Sequence, residues 1–120
     1  MTTSSEFLDF LVEHLEPLGG VCARRMFGGA GLFCDGLMFG LIADDKLYLK
    51  ADAGNEAAFI DAGLEPFIYE RQGKPPIAMS YREAPDAALD DPDVLVEWAR
   101  SALGAALRAD KAKSKPKRRR

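Results

Sequence analysis

The sequence predicts an α+β fold of two layers: an antiparallel sheet of about five strands with helices on one face, in the order α-β(3)-α-β(2)-α. Three observations carry that expectation. Apolar residues recur at helical spacing near the two ends of the chain and in a short middle stretch. Between them the period changes to strict alternation or to short continuous apolar runs, the marks of strands. The connecting segments are short and rich in Gly, Pro and Asp, as joins between antiparallel neighbours are.

Residues 5–16 read as an amphipathic helix. Phe7, Leu8, Leu11 and Leu15 line one side, and Glu6, Asp9, Glu13 and Glu16 fill the other. Ser4 or Ser5 can cap it, and Pro17 with Gly19-Gly20 stops it. Residues 21–27 and 31–34 flank Gly28-Gly29, as one long bent strand or two short ones. Asp35-Gly36 signals a hairpin turn, residues 37–43 a buried strand, and Asp44-Asp45 a second turn. In residues 46–51 Leu47 and Leu49 face one side, with Lys46, Tyr48 and Lys50 on the other. The expected unit is a three-stranded meander.

A short helix over 54–62 closes at Gly63. A strand over 66–71 then turns at Gln72–Pro75 into a return strand over 76–81, which Pro75 and Pro76 confine to an edge. Met79–Pro85 reads as a connection into the last helix. Asp90 or Asp91 caps that helix, Pro92 occupies its first position, and Leu95, Trp98, Ala99, Ala102, Leu103 and Ala106 form its stripe.

One domain, residues 1–110, is expected from a chain of 120 residues, followed by a basic tail over 111–120 with the composition of disordered segments. The first 110 residues hold nine of the 16 basic residues and all 19 acidic ones, while the tail holds the other seven cations. An acidic body repels nucleic acid. Any nucleic-acid contact, the alternative reading, therefore needs the tail or a local patch, and the tail candidates are Lys111, Lys113, Lys115, Lys117, Arg118, Arg119 and Arg120. There is no secretory leader pattern at residues 1–10 and no apolar run of about 20 residues to span a bilayer, so the cytoplasm is the expected location, with no membrane partner.

Enzymatic and cofactor motifs are incomplete. Gly73-Lys74 has Ile68 where a P-loop needs glycine and Pro75 where it needs Ser or Thr. Gly28, Gly29 and Gly31 do not complete G-x-G-x-x-G, with Phe33 following and no helix opening there; they read as places where a strand bends or bulges. His14 is the sole histidine and stands among acids, and Cys22 and Cys34 form no C-x-x-C pair and read as reduced core residues. The Asp44-Asp45 and Asp90-Asp91 pairs sit where turns and caps prefer Asp. The expectation is a non-enzyme with no catalytic residue, metal or cofactor.

Arg24, Arg25, Met26 and Phe27 combine two cations with apolar residues beside a glycine bend, and are the candidate protein-docking segment. A five-stranded sheet also leaves edges and one uncovered face, which a second copy can bury as a homodimer. A ligand binder or small enzyme requires a pocket, with Arg25, Tyr48 or Tyr81 as the polar groups to look for.

Taken together, Arg25-Met26-Phe27-Gly28-Gly29, Gly31-Leu32-Phe33, Cys34-Asp35-Gly36, Leu37-Met38-Phe39 and Leu47–Lys50 resemble the TfoX/Sxy N-terminal domain. Pro66-Phe67, Met79-Ser80-Tyr81, Ala84-Pro85 and the stretch from Asp90 to Ala99 extend the resemblance over residues 5–108. It implies the same α-β(3)-α-β(2)-α fold and a regulatory role. Fuller members regulate natural competence genes together with the cyclic AMP receptor protein, and carry a second domain similar to helix-hairpin-helix modules. In this chain the basic tail stands at that place. The resemblance implies a protein partner, the transcription machinery or a regulator, and brings no catalytic residue with it.

Overall fold

The computed structural model of the chain describes residues 4–26 and 28–114, with the side chains of residues 71, 77, 113 and 114 excepted. Helix α1 spans Ser5–His14; the hydroxyl of Ser4 accepts a hydrogen bond from the Phe7 amide at 3.1 Å and satisfies one of the free N–H groups of the first turn. A 3₁₀ turn over Glu16–Leu18 follows, with Pro17 early in it. The strands are β1 (Val21–Met26), β2 (Gly29–Cys34), β3 (Leu37–Ala43) and β4 (Lys46–Lys50). After α2 (Glu56–Asp61) come β5 (Pro66–Arg71) and β6 (Lys74–Glu83), then α3 (Asp86–Asp90) and α4 (Pro92–Ser114).

The class is as expected, an α+β protein with helices packed on an antiparallel sheet. The sheet has six strands, in the order β1-β2-β3-β4-β6-β5. The added strand comes from the region left open between one bent strand and two short ones. Gly28 adopts a left-handed φ of 78°, the chain reverses, and Met26 pairs with Gly29. These glycines therefore turn a hairpin. The bulge lies elsewhere: opposite the step from Leu32 to Phe33, strand β3 runs from Gly40 to Met38 and carries Phe39 as an extra residue. Phe39 is fully buried, and a side chain on Gly40 would come within 3.0 Å of Leu32 Cδ1, so Gly40 makes the room.

One face of the sheet carries the core. Leu32, Ile42, Leu47 and Leu49 are 0–2% exposed and pack with Leu11, Leu15, Phe59, Leu95 and Ala102 from the helices. Each fully buried Leu or Ile contributes about 1.5–3 kcal/mol relative to exposure. The alternation read in β4 holds, with Leu47 and Leu49 inward. Pro75 and Pro76 lie in a part of β6 that pairs with β5 alone, because β4 meets β6 only from Tyr81 to Glu83. That half of β6 is in effect an edge, which is where proline is tolerated.

Two differences concern the C-terminal third. The segment read as a connection, Met79–Pro85, is mostly strand, because β6 runs to Glu83, and the five-residue helix α3, whose Ala88 is 1% exposed, stands between it and the last helix. Helix α4 continues to Ser114, so residues 111–114 of the expected tail are helical, and Lys115–Arg120 lie outside the described residues. The start of α4 is as read: the Asp91 carboxylate accepts from the Asp93 amide at 3.0 Å.

A polar clasp ties α4 to the segment after β4. Asn55 Oδ1 accepts from the Asp52 amide at 2.7 Å, and its Nδ2 donates to Lys50 O and to Ser101 on α4. Arg108 donates to both carboxylate oxygens of Asp52, at 2.7 and 2.8 Å. That pairing, opposed by desolvation and aided by the Gly54 amide, holds the Asp52 carboxyl at about 2, below its ordinary 3.8. A depressed carboxyl stabilises the fold above its unfolded pKa and loses that contribution as pH falls through the folded value. Asp52→Asn is thus expected to lower the melting temperature modestly at pH 7, since the pair is solvent-screened. The gap to the wild type should close between pH 4 and pH 2; a gap of equal size at pH 7 and pH 2 would refute the clasp.

Candidate functional site

The expected docking segment is divided by the strand pleat. Arg24 and Arg25 are adjacent on β1 and therefore face opposite sides. The Arg24 guanidinium lies 5.3 Å from the centre of the Phe33 ring, on the helix-free face. Arg25 Nη2 donates to Ser5 Oγ at 2.9 Å, on the helix side. Both are exposed, Met26 is half-buried, and Phe27 lies outside the described residues. β1 is also an edge strand of the sheet. Beside it a groove of about 330 Å³ runs between β1 and α1, with Leu8, Val12, Val21 and Ala23 in its lining and Asp9 and Arg25 as its charged residues.

Of the tail cations, Lys111 is exposed on α4 and Lys113 belongs to the same helix. Lys115, Lys117, Arg118, Arg119 and Arg120 lie outside the described residues. The two cysteines separate as well. Cys34 is buried, donates its Sγ–H to Gly19 O at 3.2 Å, and has its thiol pushed up by burial. Cys22 is exposed, contrary to its reading as a core residue, because it occupies the outward position of the edge strand opposite Phe33. His14 donates Nδ1–H to Phe10 O at 2.8 Å and packs tilted against the Phe10 ring, a local structural role.

A cleft of about 750 Å³ lies on the face without helices. Its floor is β3, through Met38 and Leu41. On one side stand Met26, Gly28 and Gly29 of the β1–β2 hairpin; on the other, Phe67 and Tyr69 of β5 and Met79 and Tyr81 of β6. Two hairpins distant in sequence thus meet across a third strand. Tyr48 lies edge-on to Phe67 with ring centres 4.8 Å apart, and Lys50 Nζ stands 5.0 Å over the Tyr81 ring. Tyr81 is 8% exposed, and burial pushes its hydroxyl up to about 12.

Sequence reading assigned no cleft. Its one signal was the β4 alternation, which already placed Tyr48 and Lys50 opposite the core. Of the residues sought as pocket-lining, Tyr81 lines the cleft, while Arg25 points to the other groove. Among the described residues no three of His, Cys, Asp and Glu gather as a metal-holding group, and no helix is long and apolar enough to cross a membrane.

Comparison with known proteins bears on this surface. The DNA transformation protein TfoX1 of Aliivibrio fischeri is 36% identical over 58 residues, which is 48% of this chain and 28% of that protein. The chain therefore aligns with well under half the length of this relative. Several segments that carry the family resemblance, around Met26–Gly29, Met38, Phe67 and Met79–Tyr81, supply cleft walls. The TfoX N-terminal domain profile matches residues 13–106, most of the chain, and the chain belongs to that family.

Proposed function

We propose that this chain is a regulatory module in the control of DNA transformation, acting through a protein partner docked along the exposed edge of β1. The observation that carries the reading is the edge itself. An unpaired strand border beside an apolar groove is the arrangement that accepts an extended segment of another protein as an added strand. Arg24 and Arg25 flank the border on opposite faces, so an incoming strand with acidic residues at neighbouring positions meets a cation on each side. The family membership and the name of the Aliivibrio fischeri relative support transformation as the process regulated. Action on transcription, in the cytoplasm and without enzymatic chemistry, is the finer part of the proposal.

The test is complementation. In host cells lacking the gene, transcripts of DNA-uptake genes are measured with three forms restored: the full chain, the double variant Arg24→Glu/Arg25→Glu, and a chain ending at Ser114. The full chain should restore transcripts and the double variant should not, while its circular dichroism melt stays close to the wild type. Transcripts unaffected by the deletion would overturn the regulatory reading. Full activity of the double variant together with loss in the shortened chain would move the activity to the tail cations and to nucleic acid.

A further inference from the structure

We propose that the cleft on the helix-free face binds a neutral, apolar small molecule that presents a carbonyl, ester or ether oxygen to the hydroxyl of Tyr81. At about 750 Å³ the cleft falls within the roughly 300–1,000 Å³ of small-molecule sites. Its walls are apolar and adaptable. Met26, Met38 and Met79 all contribute, and methionine side chains reshape around varied apolar surfaces.

Tyr81 supplies the polar handle. Only 8% of the residue is exposed, and its hydroxyl finds Met38 O at 3.5 Å, well beyond the roughly 2.5–3.0 Å of a sound O–H···O bond. Buried hydroxyls ordinarily have a close partner, so this donor has room for an acceptor brought by a ligand. Burial also keeps the phenol protonated, which makes it a donor across the physiological range.

Charge narrows the ligand class. The described lining residues include no Lys or Arg to receive an anionic head group, and Asp44 is the carboxylate among them. Lys50 is committed to the Tyr81 ring and does not line the cleft. In a docked peptide helix only the carbonyls of the last turn lack an intrahelical partner, whereas a small carbonyl compound presents its oxygen to Tyr81 directly.

The probe is Prodan, a neutral naphthalene ketone whose emission reports polarity and hydrogen bonding. It is titrated into the full chain, with anionic anilinonaphthalene sulfonate as the charged comparison. Prodan should bind saturably at one site with blue-shifted emission, and more tightly than the sulfonate. Tyr81→Phe should raise its Kd about three- to tenfold, the effect of losing one hydrogen bond. Met79→Arg, at a wall position 39% exposed and so tolerant of change, should abolish binding without lowering the melting temperature. It keeps the test decisive if Tyr81→Phe disturbs the fold. Absence of saturable binding, tighter binding of the sulfonate, or Prodan affinity unchanged in both variants would overturn the proposal. Because the assay uses the isolated chain, its outcome is independent of the transcript measurement.

Discussion

Replacing Gly29 with alanine is expected to destabilise the protein by about 3 kcal/mol, a melting drop of roughly 10 °C, although only one methyl group is added. A Cβ on Gly29 would overlap the main-chain oxygen of Ile42, on the neighbouring strand. That oxygen cannot swing aside like the end of a flexible side chain, because moving it opens the ladder between β2 and β3. Gly28 provides the control. It has open space where its Cβ would stand but a φ of 78°, so Gly28→Ala costs only the left-handed conformation, about 1–2 kcal/mol. Asparagine tolerates that conformation, and Gly28→Asn should recover most of the loss. Gly29→Asn should recover nothing. Chemical denaturation of the four variants decides the matter; equal costs at the two positions would show that the close approach does not constrain the hairpin. Both glycines line the cleft, so the two variants also differ in how far they disturb it.

How much of this was legible in the sequence follows from the range of the interactions involved. The β4 strand and its two faces were readable because alternation is a property of five consecutive residues, and the capped start of α4 was readable for the same reason. The split of residues 21–34 was not. A glycine pair marks a loss of steric constraint, and the same letters serve a bend, a bulge or a reversal. What selects the reversal is the pairing of Met26 with Gly29 together with the approach of Ile42 from the following strand β3, a contact outside the residues 21–34 that would have to be read. Helix α3 was hidden because five residues make little more than one turn and display no periodicity. Helix α4 outruns its apolar stripe through Lys111 and Ala112, both good helix formers that need no core to continue a helix already started. The opposite facing of Arg24 and Arg25 follows from the pleat alone. The cleft does not, since it forms only when Met26 and Tyr81, 55 positions apart, come to the same face.

Phe59→Ala is expected to be costlier still, about 3–5 kcal/mol, the usual range for deleting a fully buried phenyl ring. Helix α2 has six residues, far fewer than a helix needs to persist alone in water. Phe59 is its buried residue, 0% exposed, and its ring packs T-shaped with the Trp98 indole, ring centres 5.0 Å apart. The other ties of α2, Glu56 to Arg82 at 3.0 Å and Asn55 to Ser101, lie at its beginning and are partly wet. Removing the ring therefore leaves a cavity in the helix layer and lets the end of α2 detach from α4. Ile60, next in sequence and 55% exposed, is the matched comparison: Ile60→Ala should change stability by less than about 0.5 kcal/mol. Trp98 is the chain's only tryptophan and reads the event directly. Its emission in the native baseline should move to longer wavelength in Phe59→Ala and stay in place in Ile60→Ala. Comparable denaturation midpoints for the two variants would mean that α2 is held by its polar ties rather than by the ring.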